Sequence, residues 1–322
     1  TKWDGTSEAL AAYDNISAFT RKGTGQNYGL ALQQQFGGTS VYSSLSYTQD
    51  KSIIPGNKLT RMNLSTRVTS KFGPSDKWIS DIKISYNNTQ GFNRPIVGKD
   101  NSSLYAIYQL PRSMDITDFE AGTNEFDQML WYPGAKAWTP NPYWTVKKVL
   151  NQDVRNRFLI NGSLKYKFTQ WLDLEVKGGA DIYGTNREAK TYAGGPLANS
   201  YYTEKQSFIE TNYSSILNAR KDNLFGKFGG AAMIGGNLMN HQWSSLGVNT
   251  GELEVPNLFS PTNAKGSPSI GAGFDHKKIN SIFGSVELNY DQWAYLTFTN
   301  RNDWSSSLIK QNRSYSYPSV SF

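Results

Sequence analysis

The segment from 157 to 168 alternates between apolar and polar residues, and this alternation limits the folds open to the chain more than any other feature. Side chains two residues apart share one face of a β-strand, whereas one face of a helix repeats every three or four residues. The apolar set is Phe158, Ile160, Gly162, Leu164, Tyr166 and Phe168, and the polar set is Arg157, Asn161, Ser163, Lys165 and Lys167. The segment therefore predicts a long, two-faced β-strand.

The same alternation recurs along the chain. It is clear at 61–68, 172–182 and 282–290, and weaker around 27–36, 39–49, 77–90, 206–220, 223–237, 293–304 and 314–322. These segments predict roughly eleven strands of roughly ten to fifteen residues, longer than the five or six usual in a globular sheet. Strands of this length suit a tilted crossing of a bilayer, so the sequence favours an all-β, transmembrane antiparallel β-barrel.

The connections between these segments alternate between short and long. Tight turns are predicted at Gly37-Gly38, 73–76, Thr169-Gln170, Lys221-Asp222 and Asp291-Gln292. The long links are predicted at 50–59, 91–153, 186–205, 238–276 and 305–313. Outer-membrane barrels have short periplasmic turns and long extracellular loops, so the short turns are expected to face the periplasm.

Aromatic residues flank the predicted short turns. This set comprises Phe36, Phe72, Trp78, Phe168, Trp171, Tyr290 and Trp293. Aromatic residues favour strand ends in any sheet, but recurrence beside several turns favours an interfacial girdle at one membrane surface.

Composition agrees with strands that cross a membrane. Only 38% of the residues are hydrophobic and the mean hydropathy is −0.56. No stretch approaches the roughly eighteen continuous apolar residues of a spanning helix, whereas an alternating strand keeps the average hydropathy low. Within 172–182 we expect Leu172, Leu174, Val176 and Ile182 to face lipid and Asp173, Glu175 and Lys177 to face the barrel interior.

The sequence gives no indication of an enzyme, a cofactor or a metal site. The two histidines, His241 and His276, fall in one predicted long link, there is no cysteine, and no Gly-x-Ser-x-Gly elbow is present. Glycines around 226–236 lie on an alternating strand without a βαβ unit, which disfavours nucleotide binding. The net charge of +7 is spread singly along the chain, so nucleic-acid binding is not expected.

Three stretches carry a family resemblance. They are NYGLALQQQFGGTSVYSSLSYTQDKSII at 27–54, NPYWTVKKVLNQDVRNRFLINGSLKYKFTQWLDLEVKGGADIY at 141–183 and LTFTNRNDWSSSLIKQNRSYSYPSVSF at 296–322. The third is the most specific, because Asn-Arg-Asn-Asp-Trp at 300–304 precedes Ser-Ser-Ser-Leu at 305–308 and Tyr-Pro-Ser-Val at 317–320. The chain resembles the SusC/RagA family of TonB-linked outer-membrane proteins of Bacteroidetes.

The resemblance implies a barrel of about 22 strands filled by an N-terminal plug. Residues 1–322 would then form about half of a single TonB-dependent receptor β-barrel domain, without the plug, the TonB box and the C-terminal strands. An odd strand count and a chain that stops within a strand-like run agree with an incomplete barrel, whose first and last strands would lack partners.

The resemblance also implies a function, namely active import of glycan oligomers or peptides across the outer membrane. The implied partners are outer-membrane lipid, the imported ligand, a SusD-like surface lipoprotein that closes over the barrel, and TonB through the absent N-terminal part. An alternative is a SusC-like barrel that serves as a structural subunit of a larger outer-membrane complex without transport.

The predicted link 91–153 is the best candidate for ligand or lid contact. Its aromatic residues are Tyr105, Tyr108, Trp131, Tyr132, Trp138, Tyr143 and Trp144. Aromatic rings beside acidic side chains suit sugar rings or peptide side chains, but a long loop also needs aromatic packing to hold itself together. A short helix around residues 6–10 is a further expectation.

Overall fold

The structure, a computed structural model, describes residues 5–6, 11–99 and 101–322. One antiparallel sheet of eleven strands dominates it, and each strand pairs with its neighbours in chain order. The strands are β1 Thr24–Phe36, β2 Thr39–Lys51, β3 Lys58–Phe72, β4 Trp78–Phe92, β5 Val149–Lys167, β6 Leu172–Thr191, β7 Ser200–Phe225, β8 Phe228–Glu252, β9 Ser269–Tyr290, β10 Ala294–Ser305 and β11 Ser314–Ser321.

Every predicted strand is therefore present, and the all-β antiparallel fold is confirmed. The sheet is not closed: within the described residues β1 and β11 each have a single neighbouring strand. In the described part of the chain three short helices lie outside the sheet, namely α1 Asn15–Phe19, α2 Ser103–Gln109 and α3 Pro142–Lys148, together with 3₁₀ turns at Pro74–Asp76, Ile116–Phe119 and Pro261–Asn263. No helix in the described ranges is long and apolar enough to cross a membrane. The helix expected around 6–10 falls mainly on positions outside the described residues.

Two predicted long links prove much shorter than expected, because β6, β7, β8 and β9 extend to 20, 26, 25 and 22 residues. The links predicted at 186–205 and 238–276 span only 192–199 and 253–268 in the structure. The apolar alternation stops where polar residues occupy both faces, but backbone pairing with neighbouring strands continues. His241 and His276 consequently lie on β8 and β9 instead of in a loop.

The turn predicted at Lys221-Asp222 is displaced by several residues. The chain reverses at 226–227, and pairing between β7 and β8 is irregular between Lys221 and Phe225. Gly226 adopts a φ of +59°, which glycine accepts without steric cost. The other short connections lie at 37–38, 73–77, 168–171 and 291–293, so all five are at one end of the sheet, here called the turn end.

The two faces of the sheet differ in chemistry over its whole width. Leu174 on β6 pairs with Leu217 on β7, which pairs with Ile234 on β8, and Ile234 is 60% exposed. Large exposed side chains continue this apolar face on the other strands, including Leu30, Leu45, Leu64, Ile82, Ile160, Val286 and Phe298. Burying so large an apolar surface requires a non-aqueous neighbour, and membrane lipid provides one.

The opposite face is polar and crossed by ion pairs. Arg67 pairs with Asp81 across β3 and β4, and Arg157 donates two hydrogen bonds, of 2.7 and 2.5 Å, to Asp181 across β5 and β6. Lys177 Nζ lies 3.2 Å from Glu175 Oε2 on the same face. The predicted division of 172–182 into an apolar and a polar set is thus present in the strand pairing.

The buried core of the described residues lies outside the sheet. It forms where the link 93–148, with its helices α2 and α3, packs against the segment 13–20, and this unit is here called the loop body. Its core residues include Phe19, Ile107, Leu110, Ile116 and Tyr143, and Ile54 of the link 52–57 packs against them. The loop body sits at the loop end of the sheet, opposite the turn end, together with the links 52–57, 192–199, 253–268 and 306–313.

Candidate ligand-binding site at the loop end

The loop body is a folded unit in its own right. Asn15 ties its two parts together, because its Nδ2 donates to Met114 O at 2.9 Å and its Oδ1 accepts from the Ile116 amide at 3.0 Å. Asn141 is fully buried, and its Nδ2 donates to the carbonyls of Phe119 and Leu130. These bonds satisfy backbone groups that the link buries without regular secondary structure.

Tyr143 and Trp144 lie within this packing. Tyr143 is 8% exposed and meets Phe19 edge-to-face at 5.1 Å between ring centroids. Burial raises the pKa of the Tyr143 phenol, and the nearby Glu120 and Asp115 carboxylates raise it further. Trp144 is 1% exposed. In this conformation both residues stabilise the loop body. For these two aromatics the structure thus shows packing within the link, the alternative to ligand contact.

Trp131 and Tyr132 occupy the margin of the core. Trp131 Nε1 donates to Thr139 O at 2.9 Å, and its ring meets Phe119 edge-to-face at 4.9 Å. Tyr132 packs against Trp131 at 5.0 Å, and burial raises the pKa of its phenol. Both side chains are half-buried. Their indole and phenol groups are therefore committed mainly to contacts within the loop body.

Tyr108 and Trp138 remain accessible, whereas Tyr105 is half-buried. Tyr108 is 69% exposed, and Tyr105 lies beside it on α2. Trp138 is 43% exposed, and Lys99 Nζ lies 5.2 Å from its ring centroid. Direct contact with a ligand stays a prediction for all seven aromatics, but Tyr108 and Trp138 present surface without any movement of the loop body.

An apolar cavity of about 320 Å³ opens beside Tyr105 and Tyr108. Its wall is formed by α2, the segment 94–98 and the start of β5, and includes Ile54, Leu104, Val146 and Val149. A second, polar recess of about 510 Å³ lies next to it on the polar face of the sheet. Arg94 and Asn151 line both spaces, so the cavity and the recess share a wall.

Sequence reasoning missed the residues of this polar recess. Arg94 forms an ion pair with Asp153, Arg187 pairs with Glu204 at 3.2 Å, and Arg155 Nε donates to Thr185 Oγ1 at 3.0 Å. The sequence feature that could have indicated them is the alternation of apolar and polar residues, which places Asp153 and Arg155 on the polar face of β5. Their neighbours on β6 and β7 are fixed only by the register between strands.

The predicted girdle residues lie at the turn end of the sheet, beside its short connections. Phe72 stacks on Trp78, with 6.2 Å between ring centroids, and Trp78 contacts Tyr166 at 4.5 Å. Tyr290 meets Trp293 at 6.3 Å. Phe36, Phe168 and Trp171 are exposed beside the same connections. Their contact with a membrane interface stays a prediction, with which this placement agrees.

The two histidines do not assemble a metal site. His241 Nδ1 lies 3.4 Å from Glu210, and Nε2 lies 3.2 Å from Asp275. The two ring nitrogens point in different directions, so these carboxylates do not converge on one ion. His276 Nε2 lies 2.8 Å from Asn240 Oδ1. In the described ranges, no group of three or more His, Asp or Glu side chains is arranged to hold a metal ion.

Comparison with known proteins gives matches in structure alone. No protein-family model matches the sequence, and no curated protein is similar enough to be matched. The RagAB peptide transporter superposes over 96% of this chain with a TM-score of 0.78 at 17% identity. The RagAB peptide importer in its open-open state gives 0.77 over 98%, also at 17% identity.

A more distant outer-membrane transporter gives a useful contrast. YddB from Escherichia coli covers 92% of the chain at 10% identity, but its TM-score is only 0.56. The backbone of this chain therefore superposes better on the RagAB transporter than on YddB. The chain has the fold of part of the RagAB transporter. The expected outer-membrane β-barrel architecture is confirmed at the level of fold.

The chain spans about a third of the length of these solved proteins, because it covers 35% of the RagAB transporter chain and 36% of YddB. In a barrel of this type the polar face lines the interior and the apolar face meets lipid. The recess at Arg155 opens on the polar face near the loop end, and the cavity at Tyr108 adjoins it.

Proposed function

We propose that this chain forms part of the wall of a TonB-dependent importer in the outer membrane. In this proposal it carries peptides or glycan oligomers inward together with a SusD-like lipoprotein. The observation that carries the proposal is the two-faced sheet. One face is apolar and exposed across eleven strands, and the opposite face is polar and contains ion pairs between neighbouring strands. Its superposition on the RagAB transporter over 96% of the chain supports the same interpretation.

The loop body supports the partner part of the proposal. It is the largest element at the loop end, and it has its own buried core, so it presents a rigid surface there. A lipoprotein that covers the barrel would meet this surface first, and the exposed rings of Tyr108 and Trp138 would offer contact area at low entropic cost. Peptide and glycan ligands would pass the same surface on their way to the interior.

Adjacent serines on β7 provide a matched test of the faces. Ser214 pairs with Lys177 on the polar face, and Ser215 pairs with Val176 on the apolar face. The 322 residues contain no cysteine. Ser214→Cys and Ser215→Cys therefore each introduce a single thiol into this part of the protein, at neighbouring positions. In the complete protein in lipid vesicles, a spin label at position 215 is expected to collide with oxygen dissolved in lipid more often than a label at position 214. Equal oxygen accessibility would contradict the assignment of the faces.

Transport is tested in cells that depend on the complete protein. Uptake of fluorescent peptides and oligosaccharides is measured with and without a protonophore, because TonB-driven import requires an energised membrane. A bulky maleimide on Ser214→Cys is expected to reduce uptake, whereas the same label on Ser215→Cys leaves it unchanged. If a correctly assembled protein imports neither ligand class, the chain belongs instead to a structural subunit of an outer-membrane complex.

A further inference from the structure

Arg155 differs from the other arginines at the polar recess. Arg94 is paired with Asp153 and Arg187 with Glu204, whereas no carboxylate of the described residues forms an ion pair with Arg155. Its Nε donates to Thr185 Oγ1 at 3.0 Å, and its guanidinium carbon lies 4.7 Å from the Tyr183 ring centroid. These contacts fix the orientation of the side chain and leave its terminal nitrogens for another acceptor.

A positioned guanidinium with open N–H groups suits a carboxylate. The planar donor geometry matches both carboxylate oxygens, and the aromatic ring beneath it reduces the entropy lost on binding. Arg155 faces the recess of about 510 Å³, which has room for such a group. Two carboxylates also line the recess, but Asp153 is paired with Arg94 and Glu188 with Lys190, so Arg155 is the cation left for an anionic ligand end.

The apolar cavity begins where this recess ends. Arg94 and Asn151 line both, so the side chain of a ligand residue held at Arg155 would lie next to the cavity of Tyr105 and Tyr108. Gly91 helps to create the junction: a Cβ there would lie 2.5 Å from Arg94 Nε and from Asp153 Oδ1. The absence of a side chain at position 91 allows Arg94 to fold back onto the sheet.

One polar atom in the cavity wall lacks a partner. Asn101 lines the cavity, and its Oδ1 is buried without a hydrogen bond within the described part of the chain. An unsatisfied buried acceptor is unfavourable, and a ligand N–H that reached it would remove that cost. Peptide ligands carry such donors along their backbone.

We infer that the cavity and the recess together bind the C-terminal residue of a peptide. The carboxylate binds Arg155, and an apolar side chain occupies the cavity beside Tyr105 and Tyr108. This inference rests on the proposed import function and selects between its two ligand classes, because a neutral glycan has neither a carboxylate for Arg155 nor an apolar side chain for the cavity. It places recognition at the interior rim of the loop end.

The test uses calorimetric binding to the complete purified protein with two probes, Gly-Gly-Gly-Leu with a free carboxylate and the same peptide as its C-terminal amide. The acid is expected to bind about tenfold more tightly than the amide, the order of one charge-assisted contact. Arg155→Gln is expected to abolish this difference, because only the acid uses the guanidinium. Tyr108→Ala is expected to weaken both probes alike, since both carry the apolar side chain.

Arg220→Gln is the matched control, because it removes the same charge near the turn end of the sheet. It is expected to keep the preference for the acid, and heat-resistant migration on gels checks that each variant is assembled. Equal binding of acid and amide to the unaltered protein, or an unchanged preference in Arg155→Gln, overturns the inference. If cells still take up peptides in that case, the proposed import function stands. Absence of both binding and uptake of peptides overturns the import function for this ligand class as well.

Discussion

The indole of Trp144 packs so closely against Gly195 that a Cβ at position 195 would come within 2.7 Å of Trp144 Nε1. Trp144 belongs to α3 of the loop body, whereas Gly195 lies in the link between β6 and β7. A hydrogen bond from the Met129 amide to Gly194 O, at 2.7 Å, joins the same two segments. The loop body is therefore anchored to a neighbouring connection as well as to the strands that it joins.

Gly195→Ala is expected to loosen this anchor. The buried indole cannot retreat without displacing core neighbours, and overpacking of this kind costs about 1–3 kcal/mol. Faster amide hydrogen exchange and easier proteolysis are expected within 93–148, with the strands unchanged. Gly266→Ala is the control, because a Cβ at position 266 meets no atom within 4 Å. Equal protection of 93–148 in both variants would contradict the anchoring role.

Asn141→Ala is expected to destabilise the loop body from within. The substitution leaves the buried carbonyls of Phe119 and Leu130 without this donor and removes the acceptor of the Tyr143 amide, 2.8 Å from Asn141 Oδ1. Each lost buried partner costs about 1–3 kcal/mol. The measurement is the local unfolding free energy from hydrogen exchange. Asn87→Ala, at a half-buried position of the polar face, provides the comparison and should leave the loop body unchanged.

Alkaline pH is expected to open the loop body through Tyr143. Burial raises the pKa of this phenol above the value of about 10 in an unfolded chain. The neutral form is favoured in the folded state, so its contribution to stability is complete below about pH 10 and is lost as the pH rises toward the folded-state value. Proteolysis of 93–148 should therefore increase above about pH 10. Tyr143→Phe removes the titrating group, and an unchanged alkaline transition in that variant would exclude Tyr143 as its cause.

On the apolar face of β6, the free-energy cost of an arginine substitution is expected to depend on the depth of the position in the membrane. Leu172 begins the strand at the turn end, whereas Val176 lies further along the same face and is half-exposed. Val176→Arg is expected to cost about 2–4 kcal/mol of folding free energy in lipid vesicles, and Leu172→Arg about 0–1 kcal/mol, because arginine is least tolerated at the bilayer midplane.

Lys177→Leu tests the other face of the same strand. Its ion pair with Glu175 lies on a partly exposed surface, so the change is expected to cost no more than about 1 kcal/mol. A large loss for Lys177→Leu together with tolerance of Val176→Arg would mean that the lipid-facing and interior faces are reversed.

The sequence by itself determined the strands and their two faces. Alternation of side chains is a local property of extended backbone, so Leu174 and Lys177 already specify opposite faces of β6 before any neighbour is known. The tight turn at Gly37-Gly38 is equally local, and Gly37 adopts a φ of +54° there. Register follows in part, because a slip of one residue would turn the apolar face of a strand toward the interior.

Only the tertiary structure decided where β7, β8 and β9 end and what the link aromatics do. Backbone hydrogen bonds with adjacent strands extend these strands beyond the last apolar alternation, and the partners lie many residues away in the chain. Trp144 resembles Tyr108 as a link aromatic in the sequence, yet one is 1% and the other 69% exposed. Trp144 packs against Gly195 in the link between β6 and β7, a contact between distant parts of the chain that no local pattern encodes.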